Sequence, residues 1–113
     1  MKRSIKSSQR EVRVIAVTIS ADGETVTGPD KDAVTVTDTG EGDKLITFSK
    51  AFAQAPTVVC SNGGTSAKLV RRGTLSASAV QILSFNLADG TTAADCITDV
   101  VIVGIDVDEN YSA

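Results

Sequence analysis

Short runs of Val, Ile and Thr recur along this chain, and each is closed by a cluster of Gly, Asp, Asn or Pro. β-Branched side chains lose rotamer freedom in a helix and fit a pleated surface, and recurrent glycine raises the cost of a helix further. The pattern therefore predicts short strands separated by turns, as in a two-layer sandwich. Glu11–Ile19 (EVRVIAVTI) reads as the first strand, followed by Ser20–Asp32 with turns at Asp22-Gly23 and Gly28-Pro29-Asp30. Ala33–Thr37 (AVTVT) alternates with period two. Asp38–Asp43 is a turn whose Gly40 and Gly42 can take positive φ. Lys44–Ser49 and Pro56–Ser61 are strands joined by SKAFAQA, which fits one helical turn or irregular backbone. Asn62-Gly63-Gly64 predicts a tight, hairpin-like reversal. Ala67–Arg72 and Leu75–Phe85 read as strands, with a loop around Asp89-Gly90 after them. Cys96–Val107 (CITDVVIVGIDV) is an almost unbroken apolar run, which suits a central strand buried on both faces. The expected fold is all-β: a small antiparallel, jelly-roll-like β-sandwich of about six or seven strands. Residues 11–113 form its single domain, and residues 1–10 form an extended N-terminal arm.

Charge divides along the same line. Met1–Arg13 holds Lys2, Arg3, Lys6, Arg10 and Arg13 against Glu11, a net +4, while the remaining hundred residues carry a net −7. The arm's lysines and arginines sit among Ser4, Ser7, Ser8 and Gln9, a composition that resists packing on its own core. It reads as a solvated terminus or as a segment that orders on a neighbouring acidic surface. With a pI near 4.8 and few aromatics to stack bases, nucleic acid is not an expected partner. Lys68, Arg71 and Arg72 could form a second basic patch, but alternation sends Arg71 and Arg72 to opposite faces. No stretch approaches the roughly 18–20 apolar residues that span a bilayer, so no membrane partner is expected. The basic start lacks the apolar segment of a signal peptide. The aromatics are Phe48, Phe52, Phe85 and Tyr111, so aliphatic side chains must fill the core, and self-association could add the missing burial.

The chain lacks the parts that catalysis requires. It has no histidine, no Gly-x-Ser-x-Gly elbow and no phosphate loop, so no enzyme, catalytic residue or cofactor is expected. Asp22, Glu24, Asp30, Asp32, Asp38, Glu41 and Asp43 lie in or beside turns, where carboxylates could hold calcium. The Asp-x-Asp-x-Asp-Gly run is missing, and the expectation is solvated loops with no metal. Asp106-Val107-Asp108-Glu109 is a weaker hint of the same kind. Cys60 and Cys96 are read as reduced, small hydrophobes, although a bridge between neighbouring strands is compatible with the sequence. Asn110-Tyr111-Ser112 is a formal glycosylation sequon with no secretion signal beside it.

Ile46-Thr47-Phe48-Ser49-Lys50-Ala51-Phe52-Ala53-Gln54-Ala55-Pro56-Thr57-Val58 places an aromatic on a strand, another four residues on, and Pro-x-Val at the next strand. With Phe85 and the closing strand to Val103-Gly104, this resembles the H-type lectin-like sandwich over residues 44–107. The resemblance implies a six-stranded antiparallel sandwich that associates as trimers, a module found in phage tail fibres and lectins. It carries no sugar-binding residue to this chain, which has no Trp. Physically, Phe48 and Phe52 would plug the core between sheets, and Pro56 would open a strand where its missing N–H costs little. The whole chain, a basic arm on an acidic Thr/Val/Ala-rich body, is similar to capsid decoration (cement) proteins of bacteriophages. That likeness implies a homotrimer on the capsid surface of a virion, made in the host cytoplasm. Its partner would be the major capsid protein, contacted through Lys2, Arg3, Ile5, Lys6, Arg10 and Arg13. The rival expectation is a receptor- or glycan-binding module of a tail fibre, using Asn62–Ser66 or Asn86–Ala94.

Overall fold

The computed structural model describes residues 11–106. Eight strands appear in chain order: β1 (Val12–Ile19), β2 (Val26–Thr27), β3 (Val34–Gly40), β4 (Asp43–Phe48), β5 (Thr57–Asn62), β6 (Lys68–Leu75), β7 (Ala79–Asn86) and β8 (Thr98–Ile105). One short 3₁₀ turn, Lys31–Ala33, precedes β3. The strands form two four-stranded sheets in the orders β2-β1-β8-β5 and β3-β4-β7-β6. Every neighbouring pair within them is antiparallel. The chain is all-β, and the sheets pack face to face as a small β-sandwich.

Alternation explains the core. On β1 the odd positions Ile15, Val17 and Ile19 turn inward, and on β8 Val100 and Ile102 do the same. They meet Val34, Ile46, Phe48, Val80 and Ile82 from the other sheet in one cluster. At roughly 1.5–3 kcal/mol for each fully buried aliphatic or aromatic side chain, this cluster is the main driving force for closing the sandwich. Phe48 and Phe52 stand edge to face, with ring centres 5.1 Å apart and planes at 86°. Pro56 lies just before β5, where no ladder hydrogen bond is lost.

Four features differ from the sequence reading. Leu75–Phe85 is not one strand: Leu75 ends β6, and a Ser76–Ser78 turn precedes β7. In that turn Ser76 Oγ accepts from the N–H groups of Ser78 and Ala79, so serine chemistry bends a run whose apolar content looked continuous. Asn62-Gly63-Gly64 makes no hairpin, because β5 and β6 belong to different sheets and the loop crosses between them. Ser20–Asp32 contains the two-residue strand β2, the addition that raises the strand count to eight. Finally, β8 is interior to its sheet, between β1 and β5, but only one of its faces is buried. SKAFAQA is irregular rather than helical, and Phe52 within it bridges to Asp106.

Gly104 leaves no room for a side chain. A Cβ there would come within 2.5 Å of the Phe52 ring and 2.8 Å of Pro56 Cβ. Gly104→Ala should therefore cost about 1–3 kcal/mol of stability, the usual penalty of overpacking. Urea unfolding of the variant checks this, and an unchanged midpoint would show that the Phe52 ring has room to move.

Candidate functional site

Lys2, Arg3, Ile5, Lys6 and Arg10 lie outside the described residues, as does the 107–113 segment with the sequon. Arg13 is placed, and it belongs to the body: it sits inside β1 on the inward parity of Ile15 and Val17. Its Nε donates to Asp106 Oδ1 at 2.6 Å, and its Nη2 donates to the Ala51 carbonyl at 3.2 Å. Its guanidinium carbon lies 4.0 Å from the centre of the Phe52 ring. The pair is mostly buried, with side chains 19% and 18% exposed. A planar cation that satisfies a carboxylate and a ring face together is arginine chemistry that lysine reproduces poorly. Arg13 thus closes the end of the sandwich at which the chain enters.

The opposite end is closed by a second cation. Lys44 shares inward parity with Ile46 and Phe48 and is only 2% exposed. Its Nζ donates to the Cys96 carbonyl at 3.1 Å, and the Thr98 hydroxyl donates to the same oxygen at 3.2 Å. Ser84 Oγ donates to the Ala94 carbonyl at 2.6 Å, and the Gly42 N–H donates to Asp95 Oδ1 at 2.7 Å. Gly42 sits at φ +68, and a Cβ there would lie 2.4 Å from the Ser84 carbonyl oxygen. This network straps residues 94–98 over the open end, with no buried side-chain polar atom left unpartnered among the described residues. Alternation alone could have placed Lys44 inside, but its charge argues for the surface.

The acidic turns are not merely solvated. Asp30 Oδ2 accepts the Ala16 N–H at 2.9 Å, capping the edge of β1 beyond β2. Asp22 Oδ1 accepts from Ser20 Oγ and the Glu24 N–H, and the Ser20 hydroxyl is the larger reason its carboxyl lies below the usual range. Asp38 caps Gly40 N–H, and Asp43 accepts from the Gln81 amide at 3.1 Å. Among the described residues no group of three or more carboxylate or thiol ligands converges. No helix among them is long and apolar enough to cross a membrane.

Both cysteines are free thiols; Cys96 is buried and Cys60 half-buried, where burial pushes its thiol up. The two loops proposed for sugar are internally bonded. Asn62 donates to the Ser66 carbonyl and accepts the Gly64 N–H at 2.9 Å. In the second, Asp89 accepts from the Thr91 and Thr92 N–H groups and from the Thr92 hydroxyl at 2.6 Å. The nearby Phe85 ring lies under Arg71 at 5.5 Å. Among the described residues, an open hollow lies between β1, β8 and Gly28-Pro29.

The largest anomaly is the outer face of the first sheet, which the sequence reading missed. Register aligns four rows across β1, β8 and β5: Val12 with Ile105, Val14 with Val103 and Thr57, Ala16 with Val101 and Val59, and Thr18 with Asp99 and Ser61. Val12 is 64% exposed, Val59 63%, Val14 52%, Val101 39% and Val103 38%. Its one charged residue, Asp99, is at the far end and accepts the Thr18 hydroxyl at 2.7 Å. The outer face of the second sheet is mixed by contrast: Thr35, Thr37 and Thr47 with Leu45, Gln81, Asp43, Leu83 and Arg71. The signal in the sequence is the nearly continuous apolar run of β8, whose outward residues Val101 and Val103 stay partly exposed among the described residues. No protein-family model, curated protein or solved structure matches the chain.

The Thr92 hydroxyl and the Thr91 and Thr92 N–H groups hold the Asp89 carboxyl down at about 2, against an ordinary 3.8, with the Thr92 side chain the largest contributor. Because the folded value is the lower one, the loop gains its full stabilisation above the ordinary value and loses it as pH falls through about 2. An NMR titration of the Asp89 carboxyl should give that low midpoint, and Thr92→Val should move it upward. A midpoint in the ordinary range in the wild-type protein would mean that the cap does not form.

Proposed function

We propose that this chain is a virion structural protein, a decoration (cement) protein that binds the outside of a phage capsid and stabilises it. The observation that carries the reading is the division of charge. A +4 segment, residues 1–10, precedes an acidic body whose described residues form two packed, flat-faced sheets. A flat, strand-built body suits attachment to an extended surface, whereas small-molecule chemistry favours a concave pocket. In this reading Lys2, Arg3, Lys6 and Arg10 steer the arm onto acidic patches of the major capsid protein, and Ile5 anchors it. Arg13 serves the body, where Asp106 and Phe52 occupy its guanidinium. The body is a jelly-roll-like sandwich, and the protein acts as a homotrimer on the capsid surface. Single exposed ion pairs contribute little, but three arms on one trimer gain through effective concentration. The outcome is mechanical: bridged capsid subunits resist the pressure of packaged DNA.

Co-sedimentation with empty shells of the phage that encodes the chain tests this reading. The full chain should bind saturably, and a chain lacking residues 1–10 should lose tenfold or more in affinity, with the loss growing as salt is lowered. Arm-independent occupancy would remove the arm's role. A chain that ignores shells but is retained by a glycan array would favour the tail-fibre reading.

A further inference from the structure

We propose that Asn62 is a site of spontaneous deamidation, held closed by the packed sandwich and released when the end of β5 parts from β8. The inference does not depend on capsid binding. The sequence holds one Asn-Gly pair, Asn62-Gly63, and two Asp-Gly pairs, Asp22-Gly23 and Asp89-Gly90. At such pairs glycine puts no side chain in the way when its nitrogen turns on the preceding residue. Gly63 N, on losing its proton, attacks Asn62 Cγ and closes a five-membered imide. The Cγ–Nδ2 bond breaks, and Nδ2 leaves as ammonia. Water then opens the imide at either carbonyl, giving aspartate or isoaspartate. The net change is hydrolysis of one amide, with no oxidant or reductant. Asp22 and Asp89, whose carboxyls lie below the ordinary range, are ionised and so are poorer electrophiles than a neutral amide. Asn62-Gly63 is therefore the most susceptible of the three pairs.

Each glycine nitrogen is engaged, but the bonds differ in what they depend on. The Gly23 N–H donates to the Ser20 carbonyl at 3.0 Å and the Gly90 N–H to the Asn86 carbonyl at 2.8 Å, both within their own turns. The Gly63 N–H donates to the Ile97 carbonyl at 2.8 Å, a bond that exists only while the end of β5 lies beside the start of β8. The Asn62 side chain is tied forward along the loop: Oδ1 accepts the Gly64 N–H at 2.9 Å, and Nδ2 donates to the Ser66 carbonyl. Attack therefore needs a local opening, and loops and strand ends open at the lowest cost. Asn62 ends β5, an edge strand of its sheet, and Gly63 is exposed to water.

The product does not fit the closed site. A carboxylate at position 62 has no N–H for the Ser66 carbonyl and sets oxygen against oxygen there. It also adds a negative charge near the Asp99 carboxylate, which lies so close to Gly63 that a Cβ on the glycine would be 2.7 Å from Asp99 Oδ1. Isoaspartate further lengthens the main chain by a methylene where it crosses between the sheets. Deamidation is thus a one-way change that leaves the crossing looser.

Ageing the full chain in mildly alkaline buffer, folded and in urea, tests the proposal. Peptide mapping by mass spectrometry reads Asn62, and chromatography separates isoaspartyl peptides at all three pairs. Asn62 should convert first in urea, and about tenfold or more slower when folded, the slowing matching the protection of the Gly63 N–H in hydrogen exchange. Asn62→Gln, whose longer side chain closes an imide ring far more slowly, should stay unmodified in urea over the same period. Asn62→Asp should speed exchange at Gly63, and if that variant does not fold, the aged wild-type protein supplies the same reading. Equal rates at Asn62 in the folded and unfolded chain would overturn the proposal. So would modification of Asp22 or Asp89 ahead of Asn62. Unchanged exchange at Gly63 after deamidation would overturn the loosened product.

Discussion

Phe52 belongs to no strand, yet the closure of the sandwich depends on where its ring sits. It packs edge-on against Phe48 of β4, lies beneath the Arg13 guanidinium of β1, and occupies the space that Gly104 of β8 leaves empty. Its backbone N–H donates to the Ala77 carbonyl in the turn before β7, and it bridges to Asp106. One ring thus joins both sheets where the chain crosses from β4 to β5. A core otherwise built from Val, Ile and Phe48 gains a second aromatic ring there.

With that end fixed, the remaining polar groups follow a consistent rule. Each end of the sandwich is closed by one inward-facing cation, Arg13 on Phe52 and Lys44 on the Cys96 carbonyl. The acidic side chains lie at turns and edges, where Asp22, Asp30, Asp38 and Asp89 accept backbone N–H groups that no strand partner takes. The outer face of β1, β8 and β5 carries Asp99 as the one charge in its four aligned rows, whereas the outer face of the second sheet carries Asp43 and Arg71.

How much of this could be read from the residues depends on how local the cause was. Alternation in AVTVT and KLITFS, and glycine at 40 and 42, located β3, β4 and their turn because period and φ are local properties. Phe48, Phe52 and Pro56 were placed by their spacing. The break at Ser76–Ser78 was hidden, since only the hydroxyl's bonds to neighbouring N–H groups distinguish it from strand. The crossing at Asn62–Ser66 was misread because the same Asn-Gly-Gly chemistry serves a hairpin and a passage between sheets. Lys44 and Asp30 have long-range partners, 52 and 14 residues away, that no local pattern specifies. The apolar run of β8 was visible, but which of its faces the chain itself covers is decided by sheet order.

The central claim is that the Phe52 ring closes the sandwich, packed on Phe48 and beneath the Arg13 guanidinium. Urea unfolding of Phe52→Ala tests it directly. The account predicts a loss of about 3–5 kcal/mol, the usual cost of removing a buried aromatic ring. An unchanged unfolding midpoint would contradict the account.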